Sequence, residues 1–285
     1  SGPADEAVLT AFDGFRARNA GKLAAAALLA RGHVLEPYVQ YWQLLLGLDD
    51  ANAEVVNDFL RRHAGSFVAD RLRADWIRVL GKRADWAALR EHYQMLVNED
   101  ADITCWVQLA RWRLGDAEAP SEALAVWNQP RAWPDSCAAM VEHLLATGML
   151  KPRDVWNRGR MLLTAGQTGA AVRTFEFLPP AEQPDAKLIA QLAHNPARAL
   201  GATKFDFARR AHRELAVFGL GRMARNEPAE AIALFEKSFK SRLPAEDQSA
   251  VYATAALAAA RRHQSEALGW FRAAQPADLS DEHLG

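Results

Sequence analysis

The chain has 285 residues, 50% of them hydrophobic and 24% charged, with a formal net charge of −1. That balance excludes a disordered polyelectrolyte, and no global excess of positive charge favours nucleic acid or an anionic membrane surface. The length exceeds one ordinary compact core, so two domains or an extended repeat array is expected.

In chain order, the first strong signal is residues 23–30, the longest uninterrupted apolar run and far too short to span a bilayer. Leu23, Ala26, Ala27, Leu29 and Ala30 make a small-residue helix that a neighbouring helix can approach closely. Over residues 68–80, Leu72, Trp76, Val79 and Leu80 form one stripe, with Arg71, Arg73, Asp75 and Arg78 mostly off it. Period 3.6 dominates, and no segment alternates with period 2. Gly32, Gly47, Gly65, Gly81, Gly115, Gly148 and Gly166 follow or interrupt apolar-periodic stretches, as helix-terminating glycines do. Pro120, Pro152, Pro184, Pro228 and Pro244 stand where new helices begin. Many helices of roughly 10 to 18 residues joined by short turns are expected.

A degenerate repeat supports helical hairpins. A small residue precedes an aromatic by four positions in Ala123/Trp127, Ala171/Phe175, Ala231/Phe235 and Ala267/Phe271, placing both on one helix face. Turn glycines at 81, 115 and 148 lie 34 and 33 residues apart, close to a tetratricopeptide period, although the tetratricopeptide signature residues are missing. The nine tryptophans (Trp42, Trp76, Trp86, Trp106, Trp112, Trp127, Trp133, Trp156 and Trp270) mostly sit at apolar-periodic positions and read as core. Trp133, in the Pro-flanked loop QPRAWPDS, is expected to be exposed or to pack on its own turn.

Nucleotide, hydrolase and metalloprotease motifs (GxxxxGK[ST], GxGxxG after a strand, GxSxG, HExxH) do not occur. Histidines stand at 33, 63, 92, 143, 194, 212, 263 and 283, with no pair at i, i+4. No metal site, cofactor or catalytic residue is expected. Of the carboxylates, Glu91, Glu142, Glu182, Glu214 and Glu236 are not distinguishable from solvated helix faces. Basic clusters occur at Arg61-Arg62-His63, Lys82-Arg83, Arg209-Arg210 with His212 and Arg213, residues 237–242, and Arg261-Arg262-His263. At helix C-termini or on helix faces such cations complement the macrodipole; the functional reading is a basic surface facing an anionic polymer. The two cysteines, Cys105 and Cys137, have no metal-ligand spacing, and from spacing alone two unrelated buried thiols are favoured over a bridge.

Several blocks in order resemble the N-terminal superhelical domain of the soluble lytic transglycosylases. They are LEPYVQYWQL (35–44), the stretch 56–93 with its Arg-Leu-Arg and Asp-Trp, CWVQLARWRLGDAEAPSEALAVW (105–127), CAAMVEHLLATG (137–148), RMLLTAGQTGAAV (160–172) and IAQLAHNPARALG (189–201). NQPRAWPDSC before Cys137 departs from the family's Gly-Lys turn. The resemblance implies an all-α, right-handed superhelix of helical hairpins, an α-solenoid, over residues 1–285. It also implies a disulfide between Cys105 and Cys137, worth roughly 3–4 kcal/mol in the chain-entropy model. The family's general acid, a Glu followed by Ser in a lysozyme-like C-terminal domain, has no counterpart here, nor do its Gly-Leu-Met-Gln and Ala-Tyr-Asn-Ala-Gly segments.

The expected function is therefore a periplasmic scaffold that orients peptidoglycan glycan strands for a catalytic domain lying outside this sequence. No nucleic-acid partner and no membrane span are expected. Leu279-Ser280-Asp281-Glu282 reads as a helix start, which suggests a repeat array cut short. The alternative is a freestanding tetratricopeptide-like adaptor that binds a protein partner. A third reading lets the module hold peptidoglycan by itself through its basic helix ends.

Overall fold

The computed structural model describes residues 2–130, 132–262 and 266–274; Leu279, Ser280, Asp281, Glu282, His263 and His283 lie outside them. The chain is all-α, with 17 α-helices and no strand among the described residues. It divides into two compact units, Ser1–Val126 with Trp133–Leu144, and Trp127–Ala132 with Leu145–Gly285.

The first unit contains α1 (Pro3–Arg16), α2 (Ala20–Leu29), α3 (Glu36–Leu46), α4 (Ala53–Arg62), α5 (Phe67–Lys82), α6 (Trp86–Met95) and α7 (Ala101–Arg113), and most of α8 (Ala119–Trp127) and α9 (Ala138–Ala146). Side-chain caps start these helices: Asn19, Asn52, Ser66, Asp85 and Asp100 each accept an amide of the first turn. Each cap satisfies a donor that the helix itself leaves open. Helices pack on their neighbours one and two places along, α1 on α2 and α3, and α5 on α3, α4, α6 and α7. The stripe Leu72, Trp76, Val79 and Leu80 is buried against Phe59, Leu89 and Ile103.

The second unit contains α10 (Pro152–Thr164), α11 (Thr168–Phe175), α12 (Ala186–His194), α13 (Pro196–Ala202), α14 (Arg210–Ala224), α15 (Pro228–Ser238), α16 (Ala245–Arg261) and α17 (Ala267–Ala273). Here α14 is the hub, touching α10, α12, α13, α15 and α16. The Ala/aromatic repeat does what its spacing implies. Ala123, Trp127, Ala171, Phe175, Ala231, Phe235 and Ala267 are all buried, and Phe271 is half-buried. Each small residue lets the facing helix close in, and each ring fills the gap beyond it.

Three expectations need correction. Gly81 ends no helix. It lies buried inside α5, where any Cβ would overlap the Trp106 ring, and the turn after α5 uses Ala84 at φ 56° instead. The 34-residue interval from Gly81 therefore measures no turn-to-turn period. Gly32, Gly65, Gly115, Gly148 and Gly166 do adopt the positive φ expected of terminating glycines. In α2, Leu23 and Ala26 are buried, whereas Leu29 is 73% exposed on the far side. Of the nine tryptophans, Trp76, Trp127 and Trp156 are buried and the other six half-buried. Trp133 packs on its own turn, its Nε1–H donating to the Val126 carbonyl at 3.2 Å.

Candidate functional site

In the first unit the chemistry gathers around α7. Cys105, on α7, is joined by a disulfide to Cys137, in the 3-10 turn Asp135–Cys137, with a Cα–Cα distance of 5.0 Å. The bridge ties the start of α9 to the middle of α7. Both sulfurs are buried, so the link acts on the core and offers no reactive thiol.

Two arginines organise the charge beside it. Arg78 on α5 donates to Asp75 at 3.0 Å, to Asp100 at 2.8 Å and to Asp102 at 2.5 Å. Burial pulls its pKa down, but the Asp102 hydrogen bond and the charges of Asp100, Asp102 and Asp75 outweigh that and raise it. Asp75 also accepts the Tyr41 hydroxyl, and Asp102 accepts Ser136 Oγ. On α7, Arg111 engages Asp116 and both oxygens of Glu122, which also accepts Gln108. The Glu122 and Asp116 hydrogen bonds raise the Arg111 pKa.

Between α6 and α7 lies an open cleft of about 310 Å³, floored by Leu89, Val107 and Ala110 and rimmed by Arg90, Tyr93 and Gln94. Tyr93 donates to Glu99 at 2.9 Å. The Arg111–Asp116 ion pair also lines the cleft. On α6, His92 meets Arg73 at 2.8 Å; burial, then the Arg73 charge, lowers its pKa to about 4.

The second unit sets one carboxylate apart. Glu214, its side chain only 11% exposed, is gripped by Arg160 at 2.5 and 3.1 Å and approached by Arg210 at 3.5 Å. Asp247 sits in the same field, its pKa raised by burial first and by the Glu214 charge second. Nearby, Arg158 is buried, stacked on Trp127, and donates to the carbonyls of Trp127 and Gln129 at 2.5 and 2.7 Å. Burial lowers its pKa to about 10. Among the other carboxylates named from the sequence, Glu236 accepts the Tyr252 hydroxyl at 3.0 Å.

The basic clusters divide. Arg61 and Arg62 close α4 and Lys82 closes α5, where cations complement the dipole. Arg209 and Arg210 instead stand at the start of α14, so the dipole does not account for them. Sequence reading missed the roles of Arg78, Arg158 and Asp247, most of whose partners lie tens of positions away in the chain. It also passed over the alternation Lys204-Phe205-Asp206-Phe207, which was visible. Among the described residues no group of three or more His, Cys, Asp and Glu could hold a metal ion, and no helix is long and apolar enough to cross a membrane.

No protein-family model matches the chain. It is 26% identical over 225 residues, 76% of its length, to the soluble lytic murein transglycosylase of Escherichia coli K12. It is likewise 26% identical over 208 residues to that of Salmonella typhimurium. The chain spans about a third of the length of these curated relatives (34% and 31%). Among solved structures, an inactive variant of the lytic transglycosylase Slt from Pseudomonas aeruginosa superposes with a TM-score of 0.55 and 23% identity, covering 97% of this chain and 45% of that one. The 70-kDa soluble lytic transglycosylase of Escherichia coli gives 0.55 and 21%, covering 94% and 44%, and a structure of the 70-kDa enzyme in complex with bulgecin A also matches. These structural likenesses concern the fold. Over three quarters of its length, the chain is homologous to the soluble lytic murein transglycosylases.

Proposed function

We propose that this chain is the helical scaffold of a periplasmic soluble lytic transglycosylase. In this reading its hairpins belong to a right-handed superhelix that orients peptidoglycan strands. A lysozyme-like domain elsewhere in the full-length protein cleaves them to 1,6-anhydro-muramyl products. The observation that carries this is the homology to soluble lytic murein transglycosylases, about two thirds of whose length lies outside the alignment. The shared helical fold adds support. A helical scaffold suits the role, because holding a polymer beside a catalytic group replaces a bimolecular encounter with an intramolecular one. The Cys105–Cys137 bridge suits an oxidising compartment such as the periplasm.

The test is to digest purified peptidoglycan with the product of the whole gene and identify the fragments by mass spectrometry. Anhydro-ended muropeptides are the expected result; reducing ends only, or no release, would overturn the proposal. Thiol counting on native protein separates it from the freestanding adaptor, with no free thiol expected here and two expected for a cytosolic protein.

A further inference from the structure

The loop between α13 and α14, residues 203–209, carries two aromatic rings and two cations, and its rings pack beside Phe239 and Arg242 in the second unit. The rings of Phe205 and Phe207 lie 5.9 Å apart, and both meet Phe239 edge-on, at 5.7 and 5.9 Å. Phe239 is buried whereas Phe205 and Phe207 are half-buried, so Phe239 is the floor and the other two are the walls. Arg242, in the 3-10 turn Lys240–Arg242, places its guanidinium 4.6 Å from the Phe207 ring centre. The loop is held from beneath. Arg213 donates to the Phe207 carbonyl at 2.7 Å, and the Asp206 amide donates to His212 Nδ1 at 2.7 Å.

Two of the surface cations here meet a backbone carbonyl, a histidine and a ring. Arg209 donates to the Ala181 carbonyl at 3.2 Å and lies 3.4 Å from His212, while Arg242 stacks on a ring. Lys204, Arg209 and Arg242 are all exposed, and among the described residues none of the three forms an ion pair. Arg210 is different, being committed to Glu214. Against the three cations the loop offers one carboxylate, Asp206, whose Oδ1 accepts the Ala208 amide at 3.1 Å. The Arg242 guanidinium, held over a ring with no carboxylate of its own among the described residues, presents forked donors and a flat apolar wall together. That pairing fits a carboxylate attached to an aliphatic or sugar face.

We infer that this surface docks a carboxylate-bearing glycopeptide polymer. Arg209, Arg242 and Lys204 take the carboxylates of its peptide stems, and Phe205 and Phe207 pack against its apolar faces. The polymer being peptidoglycan rests on the function proposed above; the site itself rests on the loop.

The experiment is retention of the full chain on purified sacculi at low salt, about 50 mM, and again at several times that concentration. Native protein should be retained and then released by salt. The double variant Arg209→Glu/Arg242→Glu should lose about tenfold in bound fraction, with Lys204→Glu as a second, single-site variant. Arg61→Glu/Lys82→Glu makes the same charge change in the first unit and should change retention by less than about twofold. Circular dichroism melting establishes that each variant is folded. Sacculi whose carboxylates have been amidated should not retain native protein. Retention unaffected by the loop variants, equal retention on amidated sacculi, or no retention of native protein would each overturn the site while leaving the transglycosylase proposal to its product test. Loop-dependent retention without anhydro products from the whole gene product would remove that proposal and keep the site.

Discussion

The first unit carries 20 acidic against 14 basic side chains and the second 15 against 20, so net charges of −6 and +5 cancel almost completely in the whole chain. Their arginines are used differently. In the first, Arg62, Arg78 and Arg111 are paired with carboxylates, and Arg83, which holds the carbonyls of Asp49 and Ala51, is an exception. In the second, Arg209, Arg213 and Arg262 donate to backbone oxygens, as does buried Arg158, and Arg160 and Arg210 share Glu214. A guanidinium satisfied by a carbonyl keeps its full charge, whereas one forked onto a carboxylate is neutralised. Near-neutrality of the whole chain therefore excludes nothing about either half. The −1 total hides a positive unit.

The comparison can be broken in several places, the largest effect first. Phe235→Ala empties a fully buried ring site between α15 and α16 and should cost about 3–5 kcal/mol in denaturant unfolding of the second unit. A loss below about 1 kcal/mol would show that the Ala/aromatic repeat does not hold these hairpins together. In the first unit, Cys105→Ser/Cys137→Ser should cost about 3–4 kcal/mol. Hydrogen exchange should report the change there and leave the α10–α16 amides as protected as before. Loss of protection in both units alike would show that they do not respond separately.

Smaller effects test packing and charge. Gly159→Ala drives a methyl into the Phe175 ring and should destabilise the second unit by about 1–3 kcal/mol, lowering its melting temperature. Arg78→Met leaves Asp75, Asp100 and Asp102 facing one another and should cost roughly 1–2 kcal/mol, less at high salt. Arg242→Met, which breaks no ion pair, should change stability by less than about 0.5 kcal/mol. Equal costs for the two would erase the distinction between the units.

The smallest effect is a pH dependence. His92 is held at about 4, below its ordinary 6.5, by burial and then by Arg73, so the unfolded chain binds the extra proton. Its contribution is complete above about pH 6.5 and is lost as pH falls toward about 4. The unfolding midpoint of the native protein should fall more steeply across that window than that of His92→Gln; parallel curves would refute it.

Much of the fold was legible because its causes are local. The stripe through Leu72 and Trp76, the Ala/aromatic pairs and the turn glycines all act within one or two helical turns, where spacing alone fixes which side chains share a face. The candidate docking loop was half legible. Its Lys-Phe-Asp-Phe alternation and the Arg209-Arg210 cluster stand in plain view, but their distance from Phe239 and Arg242 does not. Gly81 misled because a glycine after an apolar run looks the same whether it ends a helix or admits a neighbouring ring.

By itself, the sequence determined that the chain is helical, where most helices begin and end, and which lytic-transglycosylase relatives it resembles. Periodicity, caps and ordered blocks are properties of neighbours along the chain. The Cys105–Cys137 bridge was implied by the family resemblance and not by spacing. Only the tertiary structure decided that Arg78 gathers three aspartates and that Arg242 stacks on Phe207 while Arg209 reaches the Ala181 carbonyl. Those pairings join residues tens of positions apart, and which distant groups meet is set by how helices pack, which no spacing within one helix encodes.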